Sequence, residues 1–316
     1  MSVSMNERAA AVVDAMASDA ATLGIEVRTL DSGARLVDCG ADARGGLQAG
    51  LGFAAACMGG LGRLDPVPVV VGERTWPGVA VAVDEPAAAC LAAQYAGWKL
   101  EHDDFFAMAS GPGRALARAE DLFDELAWRE EARAAVLCLE TRQEPPAEIV
   151  EKVTERCGVA ASAVTFVIAP TASVCGSVQI SARVVETALH KLHELGVDPA
   201  RVRHGWGCCP IAPVAKDDPT AIGRTNDAVL YGGTVHLWIE GPDDEVADLA
   251  AKLPSSASEA FGTPFGELLK GADWNFYEID PMLFSPAAAT LTSTESGRTH
   301  HGGGLAPEVL ERSFTG

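Results

Sequence analysis

The sequence has little lysine and little positive charge. Only 6 of its 24 cationic residues are lysine, against 44 aspartate and glutamate residues, and the formal net charge is −20. Because nucleic acids and anionic membrane surfaces bind basic faces, neither is an expected partner. The arginine bias fits a salt-adapted cytoplasm and fits a high-GC genome equally well, so both explanations stay open.

Long apolar runs and paired-cysteine motifs are also missing. No run of 18 apolar residues occurs, so no membrane span is predicted. The eight cysteines contain no C-x-x-C spacing, and 316 residues can bury a core without disulfides. Glu7, Asp14 and Asp19 interrupt the apolar residues near the start, which is typical of an amphipathic helix rather than a secretory leader. We therefore expect a reduced, cytoplasmic protein.

Common catalytic motifs are absent as well. The sequence contains no G-x-x-x-x-G-K-[ST] and no G-x-S-x-G, and no G-x-G-x-x-G follows a predicted strand. Nucleotide binding through a glycine-rich loop and serine-hydrolase chemistry therefore lack support.

Strand and helix patterns alternate along the chain, which predicts an α/β fold with mixed sheets. A strand followed by a helix is predicted at 135–156 and again at 234–253. Two similar hairpins are predicted at 25–39 and 286–301. Because these hairpins resemble each other, we expect residues 1–130 and 276–316 to form one α/β domain and residues 131–275 a second.

The segment from Ser177 to Leu195 predicts one long amphipathic helix. A polar row beside its apolar stripe, at spacings of 4, 3, 4 and 3, consists of Gln179, Arg183, Glu186, His190 and His193. Arg183 and Glu186 are close enough to meet. This row fits the lip of a cleft, and an ordinary surface ion pair worth about 0.5 kcal/mol is the alternative. The two histidines have no obvious third partner for a metal.

The segment 204–227 is rich in glycine and proline and predicts a loop of 24 residues. Loops of this length in compact domains are usually functional. Its polar residues include Lys216, Asp217, Asp218, Arg224, Asn226 and Asp227. Lys216 and Arg224 could hold an anionic group and Asp227 could accept from exchangeable N–H donors, while a solvated surface loop is the alternative.

Several segments together resemble the methenyltetrahydromethanopterin cyclohydrolase family. They are Gln94–Trp98, Phe105–Leu116, Ser177–Thr187, His190–His193, Pro210–Asp218, Ile222–Gly233, Phe284–Ala289 and Ser313–Phe314. They follow the family order from about residue 30 to the C-terminus. Cys208 and Cys209 depart from the small or hydroxylated residues expected there, although cysteine is also small.

The resemblance implies two α/β domains enclosing a deep pocket and assembled as a homotrimer. It implies hydrolysis of the methenyl bridge of methenyl-tetrahydromethanopterin to the 5-formyl form in one-carbon metabolism. No metal and no cofactor besides this tetrahydropterin substrate are implied, and the acid–base work falls on Glu186 and Arg183. We hypothesise that the pocket is lined by Ser110, Gly111, Arg114, Lys216, Asp217, Arg224, Asn226 and Asp227.

Three other functions stay open on the sequence. The first is the same hydrolysis of methenyl-tetrahydrofolate, which carries the same reacting bridge. The second is a pterin-binding protein without activity, although the presence of both Arg183 and Glu186 speaks against it. The third is a metal hydrolase built on His190, His193 and the pair His300 and His301.

Overall fold

The computed structural model describes residues 4–126, 128–275 and 278–316. The chain forms two compact units, one of Met1–Arg63 with Ala88–Gln179 and the other of Leu64–Ala87 with Ile180–Gly316. Each unit holds one six-stranded mixed sheet, so the predicted α/β class is confirmed. Among the described residues, no helix combines the length and the apolar character that a membrane span requires.

The regular elements alternate along the chain. The strands are β1 (Glu26–Thr29), β2 (Arg35–Asp38), β3 (Gly62–Val71), β4 (Arg74–Val83), β5 (Trp98–His102), β6 (Phe105–Ser110), β7 (Ala135–Glu140), β8 (Val164–Ala169), β9 (Val202–Pro210), β10 (Thr234–Ile239), β11 (Ala288–Ser293) and β12 (Thr299–Gly303). The α-helices are α1 (Met5–Ser18), α2 (Ala20–Leu23), α3 (Leu47–Cys57), α4 (Gly113–Ala117), α5 (Leu122–Glu125), α6 (Ala147–Cys157), α7 (Val174–Ser181), α8 (Val184–Glu194), α9 (Asp218–Gly232), α10 (Asp243–Lys252), α11 (Phe265–Gly271) and α12 (Pro307–Thr315). A π-helix spans Ala87–Gln94, and short 3-10 helices span Ala161–Ala163, Pro199–Arg201, Ser255–Ala257 and Pro281–Leu283.

The sheet of the first unit has the order β1-β2-β8-β7-β6-β5. Its central strands β2, β8 and β7 are parallel, and β1 and β2 form the predicted antiparallel hairpin. Every residue of β8 is buried, which is why its sequence VTFVIA reads as almost continuously apolar rather than alternating.

Helices cover both faces of this parallel core. Leu137 of β7 packs in one apolar cluster with Ile149 and other residues of α6. The neighbouring Val136 packs in a second cluster with residues of α1 and α3 and with Cys175 of α7. Since successive side chains of a strand point to opposite faces, α6 lies on one face and α7 on the other.

The sheet of the second unit has the order β12-β11-β10-β9-β4-β3. Strands β10 and β11 are parallel, while β9 pairs antiparallel with both β10 and β4. The hairpin of β11 and β12 therefore lies in this sheet, while β1 and β2 lie in the other. The two units consequently differ from the expected division into 1–130 with 276–316 and 131–275. A hairpin pattern reports local pairing, whereas sheet membership depends on distant partners, β8 for β2 and β10 for β11.

The prediction of a loop at 204–227 was wrong. Most of this segment belongs to β9 and α9, and only residues 211–217 connect them. Glycine is needed in β9 because a Cβ at Gly205 would lie 2.7 Å from Val185 Cγ1 and one at Gly207 would lie 2.7 Å from Val184 Cγ1. The glycines thus let α8 approach the sheet closely, and they do not mark an irregular segment.

Candidate active site

The helix predicted from Ser177 to Leu195 is interrupted at Ala182 and Arg183, a few residues before Glu186. Helix α7 ends at Ser181 and α8 begins at Val184, with Arg183 at the N-terminal cap of α8. The Arg183 N–H donates to Ile180 O at 2.9 Å, a tightened turn, and Arg183 O accepts from Thr187 N at 2.8 Å. The single long helix was therefore a wrong prediction, because apolar periodicity continues unchanged through so short a turn.

The break places Glu186 in the first turn of α8. The partial positive charge of a helix N-terminus stabilises a carboxylate at this position. Arg183 Nη1 lies 3.7 Å from Glu186 Oε2, and their side chains are only 14% and 8% exposed. The two side chains meet as their spacing predicted, and their shielding distinguishes them from an exposed surface pair. Their catalytic roles stay predictions.

Helix α8 is held in place by a buried lysine that the sequence reasoning did not identify. Lys191 is 1% exposed, and its ammonium donates to Pro254 O at 2.8 Å and to Met282 O at 2.6 Å. Burial lowers the pKa of Lys191 to about 8, although Asp280 opposes this shift. One feature of the sequence could have indicated that Lys191 is buried. It lies between the apolar residues Leu189 and Leu192, on the helix that carries Glu186.

Lys216 and Asp217 lie at the start of α9. The Lys216 side chain is 85% exposed, and its Nζ lies 3.9 Å from Asp217 Oδ2. Asp217 caps the helix by accepting from Thr220 N at 2.8 Å. Hydrogen bonding to Thr220 lowers the pKa of Asp217 below its ordinary value. Lys216 is thus an exposed cation, while Asp217 has a structural task as a helix cap.

Arg224 and Asn226 make contacts inside the second unit. Arg224 Nε donates to Ser313 O at 3.1 Å and Nη2 donates to Gly316 O at 2.8 Å, which ties α9 to the C-terminal end. Asn226 Nδ2 donates to Ile222 O at 2.9 Å within α9. These contacts are structural, and a substrate role for either residue stays a prediction.

Asp227 is a buried carboxyl group between α9 and α11. It is 1% exposed, and its Oδ1 accepts from Phe265 N at 2.8 Å. Burial raises the pKa of Asp227 to about 7, with the Ser313 side chain and the Phe265 N–H acting in the opposite direction. The Asp227 carboxyl group of the folded chain therefore titrates near neutral pH.

This raised pKa makes stability depend on pH. Between pH 4 and pH 7 the unfolded chain has lost a proton that folded Asp227 retains, so the free energy of unfolding falls as pH rises. Asparagine does not titrate, so its free energy of unfolding lacks this dependence on pH. As pH rises from 4 to 7, we expect the free energy of unfolding of Asp227→Asn to increase by about 2–4 kcal/mol relative to that of wild type. Urea unfolding at several pH values measures the difference. Parallel profiles for the two proteins would contradict it, and Asp244→Asn, at an exposed position of α10, is the control.

Ser110 and Gly111 lie at the end of β6 in the first unit. Ser110 is 2% exposed, and Gly111 has a φ of +98°. A Cβ at Gly111 would lie 2.8 Å from Val136 O and would strain the backbone besides. The glycine is therefore required by the fold, whatever it binds.

Arg114 is fully buried in the first unit. Its Nε donates to Glu120 Oε1 at 2.8 Å, and Nη2 pairs with the other oxygen of this carboxylate. Its Nη1 donates to Leu91 O at 3.1 Å and to Ala93 O at 3.2 Å. Four of its five N–H groups are thus used by its own unit, which indicates a structural role. A substrate contact by Arg114 stays a prediction without geometric support.

Two of the histidines that were considered as metal ligands each lie near one carboxylate. His190 Nε2 lies 3.7 Å from Glu194 Oε1, and His300 Nε2 lies 3.6 Å from Asp243 Oδ1. Within residues 4–126, 128–275 and 278–316, no three His, Cys, Asp or Glu side chains are grouped as metal ligands.

Comparison with known proteins relates the whole chain to one family. Residues 4–314 match the family model described as Cyclohydrolase (MCH). A methenyltetrahydromethanopterin cyclohydrolase of Xanthobacter autotrophicus is 47% identical, covering 99% of this chain and 93% of the relative. Proteins of the same name from Methylobacillus flagellatus and Methanococcoides burtonii are 45% and 38% identical, covering 98% and 99% of this chain and 95% and 98% of the relatives. The chain therefore belongs to the cyclohydrolase (MCH) family.

Proposed function

We propose that this protein hydrolyses the methenyl bridge of methenyl-tetrahydromethanopterin to give 5-formyl-tetrahydromethanopterin, a step of one-carbon metabolism. The observation that carries the proposal is the shielded pair of Arg183 and Glu186, 3.7 Å apart, in a chain of this family. The names of the relatives favour tetrahydromethanopterin over tetrahydrofolate as the carrier.

Hydrolysis of the methenyl bridge requires one group that accepts a proton and then returns it. The substrate is an amidinium cation whose central carbon is already electrophilic, so we propose that water adds without a metal and without a cofactor. As the C–O bond forms, Glu186 takes one proton from the water, and it returns this proton to the nitrogen that leaves when the C–N bond breaks. The remaining hydroxyl proton is lost as the formyl C=O forms. A cation and water thus give a neutral product and one proton.

Arg183 is proposed to orient Glu186 and to stabilise the oxygen of the adduct. The guanidinium and the carboxylate lie 3.7 Å apart, close enough for their opposite charges to fix the orientation of Glu186. A positive charge repels the cationic substrate, but it stabilises negative charge that develops on the adduct oxygen. Such an interaction, stronger in the transition state than in the ground state, is the kind that raises kcat.

The test is an absorbance assay with purified protein and methenyl-tetrahydromethanopterin. We expect enzyme-dependent loss of the methenyl absorbance and a higher kcat/KM than with methenyl-tetrahydrofolate. Binding without loss of absorbance would instead identify a pterin-binding protein. Activity that survives prolonged chelation supports hydrolysis without a metal, and activity lost on chelation would favour the metal hydrolase.

We further propose that the protein is a homotrimer of the cytoplasm. The family resemblance supports the assembly, and one face of the second sheet offers an aromatic surface for it. Trp206, 44% exposed, is opposite His236, which stacks on Trp238 at 4.2 Å between ring centroids. Light scattering should give three times the chain mass of 32.9 kDa. The mass of a single chain would contradict the trimer.

A further inference from the structure

A buried positive charge lies on the helix that carries Glu186. Lys191 of α8 is 1% exposed, and the proposed mechanism assigns no role to its ammonium. Lysine is almost never fully buried unless its charge has partners. Burial lowers the pKa of Lys191 to about 8, which reflects the cost of removing this charge from water. The folded chain bears that cost on the helix that holds the candidate proton-transfer group.

The Lys191 ammonium joins α8 to two distant segments. It donates to Pro254 O at 2.8 Å and to Met282 O at 2.6 Å, which lie 63 and 91 residues away along the chain. Pro254 directly precedes the 3-10 helix Ser255–Ala257, and Met282 lies inside the 3-10 helix Pro281–Leu283. Both acceptors belong to the second unit, as does α8. Since both are backbone carbonyls, the ammonium is held by the fold and not by mobile side chains.

The two acceptor segments are themselves linked. Asp280 Oδ1 accepts from Met282 N at 3.0 Å, and Asp280 Oδ2 accepts from the Ser258 hydroxyl at 2.5 Å. Ser258 directly follows the first of the two 3-10 helices, so one carboxylate connects them. Asp280 also supplies a negative charge that favours the ammonium form of Lys191. The ammonium therefore binds a fixed pair of carbonyls.

Apolar packing alone leaves the orientation of α8 less well defined. Val184 and Val185 contact the sheet at the glycines of β9, and such contacts have no preferred direction. The Ser181 hydroxyl donates to Pro210 O at 2.9 Å and fixes the turn between α7 and α8. A rod that is attached at one end still rotates about that point. Lys191, about two turns after Val184, supplies a second attachment with a fixed direction.

We propose that Lys191 is a positioning residue for Glu186, fixing the rotation of α8 so that the carboxylate stays aligned with the water from which it takes a proton. This inference rests on the proposed function, because it assigns a role in the proton transfer of that reaction. An apolar side chain of similar length would fill the same space without burying a charge. The ammonium adds directional hydrogen bonds, and proton transfer needs such control, since a displacement of about 1 Å costs up to about 100-fold in rate.

The first test compares Lys191→Met with wild type in the hydrolysis of methenyl-tetrahydromethanopterin. Methionine has a similar length but donates no hydrogen bond. We expect kcat to fall about 10- to 30-fold with KM changed less than about threefold, because the loss affects the transition state rather than substrate binding. An unchanged kcat for Lys191→Met would overturn the proposal.

A matched control lies on α10 of the same unit. The ammonium of Lys252 is exposed and pairs with Asp248 at 2.7 Å. Lys252→Met removes the same group from the surface and should leave kcat and KM unchanged within about twofold.

A double-mutant cycle separates the positioning of Glu186 from a general structural role. The four proteins are wild type, Lys191→Met, Glu186→Gln and the double variant. In the Glu186→Gln background, Lys191→Met should lower kcat by less than about twofold, since the carboxylate to be positioned is gone. An equal fold-loss in both backgrounds would show that Lys191 stabilises the fold only, and it would overturn the proposal.

A weaker variant decides if Lys191→Met does not fold. Asp280→Asn keeps the size of the side chain and removes the charge that favours the ammonium form of Lys191. We expect kcat to fall about 3- to 10-fold, because Lys191 then loses its proton more readily, and the loss should disappear in the Glu186→Gln background. An unchanged kcat for Asp280→Asn is the contrary result.

Failure of this proposal and failure of the proposed function give different results. If wild type leaves the methenyl carrier unchanged, the proposed function fails. Amide hydrogen exchange over residues 184–194 then tests the attachment of α8 without turnover. Exchange at least about 10-fold faster in Lys191→Met than in wild type and Lys252→Met supports the positioning role of Lys191, and equal exchange overturns it.

Discussion

Replacing Glu186 by glutamine is expected to lower kcat by at least about 100-fold, the scale for losing general acid–base help. The amide has the size of the carboxylate but does not take a proton from water at neutral pH. The side chain is 8% exposed and lies in the first turn of α8, next to Arg183. Glutamine fills the same space, so the fold should persist, and circular dichroism and Tm will check that it does.

A matched control for this substitution lies on the same helix. Glu194→Gln removes a carboxylate whose side chain is 41% exposed and faces His190. It should leave kcat unchanged within about twofold, since exposed pairs contribute little. Near-wild-type kcat in Glu186→Gln would reject the acid–base role of Glu186.

Arg183→Ala is expected to lower kcat by about 100-fold and to alter its pH dependence. The substitution removes the guanidinium that orients Glu186 and that stabilises negative charge on the adduct, and both effects act in the transition state. Arg183→Lys should recover part of the rate, because it retains the charge without the planar fork. The measurement is kcat as a function of pH for the three proteins.

An exposed arginine of the same unit serves as the control. Arg203 pairs with Glu240 at 2.6 Å, and its side chain is 53% exposed. Arg203→Ala should change kcat by less than about twofold. If Arg183→Ala lowers only Tm and leaves kcat and its pH profile unchanged, Arg183 and Glu186 form a structural ion pair.

Two central strands of the first unit were predictable because strands that are buried on both faces consist almost entirely of apolar residues. Apolar runs mark β7 and β8, and the helical pattern between them marks α6. The division of α7 from α8 was not predictable, since a turn at Ala182 and Arg183 preserves the apolar period. The strand β9 was hidden because its glycines serve the close approach of Val184 and Val185, a contact between distant parts of the chain.

The candidate site was partly predictable for a similar reason. Arg183 and Glu186 are neighbours on one turn, so their spacing alone indicates that they meet. The partners of Arg114 and Arg224 are backbone carbonyls and a carboxylate brought close by the fold. A sequence shows that an arginine carries donors, but it does not show whether the folded chain already uses them. Lys191 was missed because its carbonyl partners lie more than 60 residues away.

The central claim is that Glu186 transfers the proton during hydrolysis. A single-turnover experiment tests it most directly, with protein in excess over methenyl-tetrahydromethanopterin and the methenyl absorbance followed in time. We predict that Glu186→Gln binds the substrate with wild-type affinity and loses the absorbance at least about 100-fold more slowly. Equal single-turnover rates for the two proteins would contradict the claim.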